Sequence, residues 1–312
     1  MKGNTTHKPV LLVALGGNAM IRKGQTGSIR EQLANLRLPI RQIARLSRDY
    51  RIIVTHGNGP QVGDLMLRQE SCTAAERMPL EILVAQTQGQ IGYMIESTLD
   101  ESLMEIGIHT QPLVSLISYV VIDGKDPAFQ NPSKPIGPAF SRGEAEKLPY
   151  LVVKTPKGYR RVVASPRPVT IVEKREIKTL INMDFIVICC GGGGIPVVRK
   201  GRAFTGVDAV IDKDLASARL AEEVGVDLFL IATDVRGVAL DFGKPGERFL
   251  KTMTLEQAFM YIGEGHFSPG SMLPKVEAAM QFVSGGGKPA VIAAIEDLEA
   301  AVYGRAGTRF VP

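Results

Sequence analysis

Three short apolar runs in this chain each end in a cluster of glycines, and that repeated punctuation limits the fold more than any other feature. Val10–Leu15 breaks at Gly16-Gly17-Asn18. Arg51–Thr55 leads through His56 into Gly57-Asn58-Gly59. Phe185–Cys190 runs into Gly191-Gly192-Gly193-Gly194. Continuous apolar runs of this length, alternating with helices, are the pattern of strands buried on both faces, hence of a parallel sheet. Val226–Ala232, ending at Thr233-Asp234, and Pro289–Ile295 repeat the pattern, while Pro112–Val121 reads as a further strand and Thr308–Val311 as one at the edge.

Helices fill the intervals. Ile29, Leu33, Leu36, Ile40 and Ile43 fall four, three, four and three residues apart, which is one face of a 3.6-residue period. Pro60 sits where a helix begins, because its missing N–H costs nothing there. A long helical stretch covers Leu80 to Ile106, and another opens at Asp212-Lys213-Asp214 and runs to about Val224. Between Asp123 and Thr170 the chain carries eight prolines, Pro156 among them. That density forbids a long helix and predicts an irregular insert or small protruding subdomain, with a β-ribbon over Tyr159–Ala164.

Composition excludes several classes. Of 312 residues 45% are hydrophobic, enough for a sizeable core, and the net charge is only +5. No run of five basic residues occurs and Trp is absent, so nucleic-acid binding is not expected. The three cysteines, Cys72, Cys189 and Cys190, include an adjacent pair and no CxxC, which speaks against a disulfide framework or a zinc site. The start, Met1 to Pro9, is polar and unlike a signal peptide, and no apolar run approaches the ~20 residues that cross a bilayer. A soluble, cytoplasmic protein without membrane partners is the expectation.

Glycine lets backbone N–H groups approach an anion closely, and a following helix adds its positive end. Three such loops at the ends of strands of one sheet predict an anion site, with Gly192 and Gly193 of the third loop as candidate substrate contacts. The P-loop pattern GxxxxGK[ST] is absent. The segment from Gly57 to Gly63 is GxGxxxG, one residue longer than the dinucleotide fingerprint and with Pro60 inside it, so a nicotinamide enzyme fits poorly. Lysines supply the second half of the case. Lys213 lies between two aspartates at a helix start. Lys275 follows Pro274 in the first turn of a helix, where a cation is locally unfavourable and hints at a bound phosphate. Lys134 is fixed in direction by Pro132 and Pro135. His56 beside its glycine loop is a structural residue before it is a base, and no acidic cluster offers a metal cage, so Mg²⁺ would arrive with nucleotide phosphates.

These segments resemble the carbamate kinases of the amino acid kinase family. The resemblance rests on Ala14-Leu15-Gly16-Gly17-Asn18-Ala19, on Thr55 through Gly63, on Asp126 through Pro132, on Ala209 through Ala216, and on Gly265-His266-Phe267 with Gly270-Ser271-Met272, in family order from Val10 to Pro312. It implies a three-layer αβα sandwich around a mainly parallel eight-stranded sheet. Residues 1–190 would form a carbamate or carbamoyl-phosphate lobe bearing the protruding subdomain (about 123–170), and 191–312 a nucleotide lobe. It implies a homodimer that interconverts ATP plus carbamate with ADP plus carbamoyl phosphate.

By the same resemblance, Gly16, Gly17, Asn18, Gly57, Asn58 and Gly59 surround the transferring group. Lys213 and Lys275 hold phosphates, Asp214 orients them, Lys134 serves the substrate side, and Thr233, Asp234, Val235 and Met272 belong to the nucleotide pocket. Where many carbamate kinases continue past this proline with Phe-Tyr, Pro138 is followed by Ala139-Phe140-Ser141. Two alternatives stay open: a kinase of the same fold acting on another small carboxylate or carbamate-like acid, and a non-catalytic nucleotide-binding regulator.

Overall fold

Eight strands form the central sheet of the computed structural model, which describes residues 8–72, 76–155 and 158–312. From one edge they run Thr252–Thr254, Thr308–Val311, Ala290–Ala294, Leu228–Thr233, Val10–Leu15, Arg51–His56, Ile186–Ile188 and Leu113–Ser115. The six from Ala290–Ala294 onward are mutually parallel; the other two run the opposite way. The polar leader 1–7 and Pro156 lie outside the described residues.

Burial on both faces is nearly complete along the middle strands, as the unbroken apolar runs require: Leu11 to Ala14 and Phe229 to Ala232 are all 0% exposed. Odd and even positions serve opposite layers. Leu11, Val13 and Leu230 meet the helices Ile29–Leu46 and Leu80–Glu105 through Leu36, Ile40, Ile43, Ile91, Ile95 and Leu99. Leu12, Phe229 and Ile231 meet Lys213–Val224 and Met272–Gly286 through Leu220, Val276 and Phe282. The first helix begins at a capping box, Ser28 with Glu31, and its leading Ile29 emerges into solvent.

Two strand expectations are corrected. The run Pro112–Val121 is not one strand: Leu113–Ser115 belongs to the main sheet, and Tyr119–Ile122 to a second, four-stranded sheet with 168–171, 195–200 and 203–206. The break is imposed from outside the run. Gln88, in the helix Leu80–Glu105, accepts from the Ser118 N–H (2.9 Å) and donates to its carbonyl (3.3 Å), turning the chain where periodicity alone would carry it on. Thr308–Val311 is not at the edge. It lies between Ala290–Ala294 and the three-residue strand Thr252–Thr254, whose length leaves no period to read.

The proline-rich stretch is more regular than expected. Lys134–Phe140, Gly158–Val163 and Val152–Thr155 form a three-stranded antiparallel sheet, with the proline-bearing strand at its edge. An edge is where a missing N–H is tolerated. No helix among the described residues is long and apolar enough to cross a membrane.

Phe229 is fully buried and meets the Phe282 ring edge-on, centroids 5.6 Å apart. Phe229→Ala is expected to destabilise the fold by about 3–5 kcal/mol, read as a lowered denaturant midpoint; a shift below ~1 kcal/mol would mean that the layer beneath the sheet is not packed as described.

Candidate active site

Two helices begin at one cavity, and each brings a lysine to it. Asp212 caps the helix Lys213–Val224, accepting from the Asp214 N–H at 2.9 Å. The helix Met272–Gly286 starts with no side-chain cap and no acid in its first turn. The Leu273 N–H is taken by the Ser268 carbonyl at 3.2 Å and Pro274 has none, but no acid offsets the positive end, which faces the cavity.

The lysines meet on one carboxylate. Lys213 Nζ donates to Asp214 Oδ1 at 2.5 Å and Lys275 Nζ to Asp214 Oδ2 at 3.0 Å, with the Asp214 side chain only 3% exposed. Burial pushes the Asp214 carboxyl up, but the charges and hydrogen bonds of the two lysines outweigh it and hold the group below the usual carboxylate range. Burial drives Lys213 below an ordinary lysine, and the Lys275 charge adds to the shift. Burial also lowers Lys275, but the Asp214 charge and hydrogen bond together with the charges of Asp212 and Asp234 outweigh this and leave it raised. Two cations on one anion leave the cluster with a surplus positive charge at the cavity wall.

The glycine loops close around it. An added Cβ on Gly57 would lie 3.3 Å from both the Gly17 nitrogen and Lys213 Cδ, so Gly57 is what lets the first two loops and the lysine stem approach. Asn58 is 5% exposed and donates from Nδ2 to Thr87 Oγ1 at 2.9 Å. Gly192 (φ +68°) packs directly on that amide: a Cβ there would sit 2.1 Å from Asn58 Nδ2. A Cβ on Gly193 (φ +90°) would meet the Ile211 carbonyl at 2.4 Å. The third loop therefore stands behind Asn58 and does not line the cavity.

The cavity, about 420 Å³, is lined by Gly16, Gly17, Asn18, Lys213, Thr233, Asp234, Val235, Met272 and Lys275, all singled out from the sequence. Gly57 adjoins it through Gly17 and Lys213, and Pro60 Cδ lies 3.7 Å from a Cβ on Gly17. Lys134 arrives from the three-stranded sheet and pairs with Asp212 at 2.8 Å. Sequence reasoning missed Asp212 as the partner of Lys134. It also missed Ala239, Phe242 and Ser268 in the far wall of the cavity, where they join His266 and Phe267 of a motif to which it gave no role. His266 contacts Glu264 at 3.1 Å. No group of three His, Cys, Asp or Glu side chains suited to a metal occurs among the described residues. The acids nearest the lysines are engaged by them, while phosphate-borne Mg²⁺ needs no protein cage.

The model of the amino acid kinase family matches residues 9–294. The carbamate kinase of Thermococcus kodakarensis is 44% identical over 311 residues, covering 96% of this chain and 98% of that protein. That of Pyrococcus furiosus is also 44% identical, covering 97% and 99%. The structure of carbamate kinase from Giardia lamblia bound to AMP-PNP superposes with a TM-score of 0.91 at 37% identity, covering 97% of this chain and 98% of that one.

His56 is 2% exposed and donates from Nδ1 to the Gly57 carbonyl at 3.1 Å. Burial, helped by the Lys213 charge and opposed by that hydrogen bond, lowers its pKa from 6.5 to about 4. The unfolded chain thus takes up a proton near pH 6.5 that the folded chain refuses until about 4. Stability rises with pH across this window, and the contribution is lost as pH falls through it, by ~3 kcal/mol at most. Urea unfolding from pH 4 to 7 should show that slope in the parent and a flatter one in His56→Gln; equal slopes would contradict the buried, neutral ring.

Proposed function

The chain belongs to the amino acid kinase family, and from that premise we propose that it moves a phosphoryl group reversibly between ATP and carbamate, giving ADP and carbamoyl phosphate. The observation that carries this reading is the Lys213–Asp214–Lys275 cluster, a buried surplus of positive charge facing a cavity at an uncapped helix start.

Carbamate is already an anion, so its oxygen attacks the γ-phosphorus without a base to activate it. As the new O–P bond forms, the bond to the β–γ bridging oxygen breaks and ADP leaves with the electron pair. The difficulty is charge, since two anions must meet. Fixed cations and backbone N–H groups supply what such a transfer needs, namely position and charge stabilisation. We assign Lys213 and Lys275 to the phosphate chain and Asp214 to holding both ammonium groups in place. Gly16, Gly17, Asn18, Gly57, Asn58 and Gly59 cradle the transferring group, with Gly192 supporting Asn58 from behind and Gly193 packed on the Ile211 carbonyl. Lys134, steered by Asp212, serves the carbamate side. Thr233, Asp234, Val235 and Met272 line the nucleotide side. Mg²⁺ enters as part of the nucleotide substrate, where it neutralises phosphate charge.

His56 has no place in proton transfer on this reading, in keeping with its burial and lowered pKa. Two points remain with the resemblance: a cytoplasmic location and a homodimer. A dimer has a matching feature in the exposed Ile82, Tyr93 and Met104, spaced eleven residues apart and so on one stripe of a helix.

Carbamoyl phosphate with ADP and Mg²⁺ should yield ATP in a luciferase-coupled assay, and Lys213→Ala should lower kcat by ~10²–10³. ATP formed from another acyl phosphate but not from carbamoyl phosphate would move the reading to a different acceptor. Near-normal turnover of Lys213→Ala would remove that lysine from the mechanism.

A further inference from the structure

A second cavity, about 640 Å³, shares a wall with the first. Its lining includes Arg236, Lys251, Arg305 and Arg309, with Asp297 as the sole carboxylate. The chain segment after the strand Leu228–Thr233 separates the two spaces: Thr233, Asp234 and Val235 line the first, and Arg236 and Gly237 the second. The segment is pinned between them. The buried Thr308 hydroxyl accepts from the Val238 N–H (2.8 Å) and donates to the Leu250 carbonyl (2.5 Å), and a Cβ on Gly237 would come within 2.7 Å of that oxygen.

The four cations are unspent. Among the described residues none of them makes an ion pair, although cations on the neighbouring helix Ile29–Leu46 do: Arg37 with Glu101, Arg41 with Glu105, Arg45 with Glu299. Glu296 and Glu299, close in sequence to Asp297, pair instead with Arg22, ahead of that helix, and Arg45, on it, and leave the cleft to the basic residues. Two of the arginines are held by aromatic rings instead. Arg236 lies 4.8 Å over Phe249 and Arg305 lies 5.6 Å over Tyr303. Stacking fixes a guanidinium plane without using its N–H donors, so the forks stay available for a bidentate acceptor. Four like charges gathered around a single carboxylate repel one another, and an occupant of opposite sign relieves this. The volume is that of a small-molecule site and too small for a nucleic-acid strand to thread.

We propose that this cleft binds a small, multiply charged phosphate-bearing anion, at a site separate from the reaction cavity. The inference does not depend on which acceptor the reaction cavity uses.

Inorganic pyrophosphate titrated calorimetrically into the full chain at fixed ionic strength tests it. Two sites are expected. Lys251→Glu with Arg305→Glu should weaken one of them at least tenfold, leave the other, and leave kcat at saturating substrates unchanged. Lys213→Ala should have the reverse effect on the two sites. A single site that is lost in Lys213→Ala, or two sites indifferent to the charge reversals, overturns the proposal. Should the double reversal fail to fold, Lys251→Gln with Arg305→Gln carries the same test, with a smaller but still measurable loss expected at the cleft and no loss overturning the proposal.

Discussion

A single carboxylate shared by two ammonium groups organises this molecule. Asp214 is nearly sealed from solvent and gives one oxygen to its chain neighbour Lys213 and the other to Lys275, 61 positions away in sequence. Such a cluster is stable only if the positive remainder is met, because an isolated interior charge costs several kcal/mol. Everything nearby is arranged to hold that remainder at an opening rather than smother it. The two helices start there, the glycine loops leave room, and the parallel strands aim their C-terminal ends at the same place, as open α/β sheets do.

Asp212 links this centre to the part of the chain that departs from the main sheet. One of its oxygens caps a helix and the other holds Lys134, 78 residues earlier. The position of the three-stranded sheet is thereby tied electrostatically to the helix start that presents Lys213. A residue at 212 with no side-chain acceptor would loosen both at once, whereas Asn would keep the cap and weaken only the hold on Lys134.

The sequence disclosed what is local. Glycines after apolar runs and the four-three spacing of Ile29 to Ile43 depend on neighbours a few residues away, and the strands and helix they announced are present. Other features are settled by remote partners and leave no local trace. The turn at Ser118 is made by Gln88, thirty residues distant. The inner position of Thr308–Val311 depends on a three-residue strand with no readable period. The lysines and loops were legible because glycine and misplaced charge are chemically conspicuous. Phe242 and Ser268 were not, since an aromatic or a serine in a loop is ordinary until the fold brings it to a cavity wall.

The seat of Asn58 carries a consequence beyond this site. Its amide lies where any side chain on Gly192 would have to go, and Thr87 holds it there. Positions 58 and 192 sit on different loops of different strands, yet they share one volume. Neither can enlarge alone, so variation among chains of this kind should be correlated at the two positions: a bulkier residue at 192 requires a smaller one at 58, with the amide surrendered in exchange.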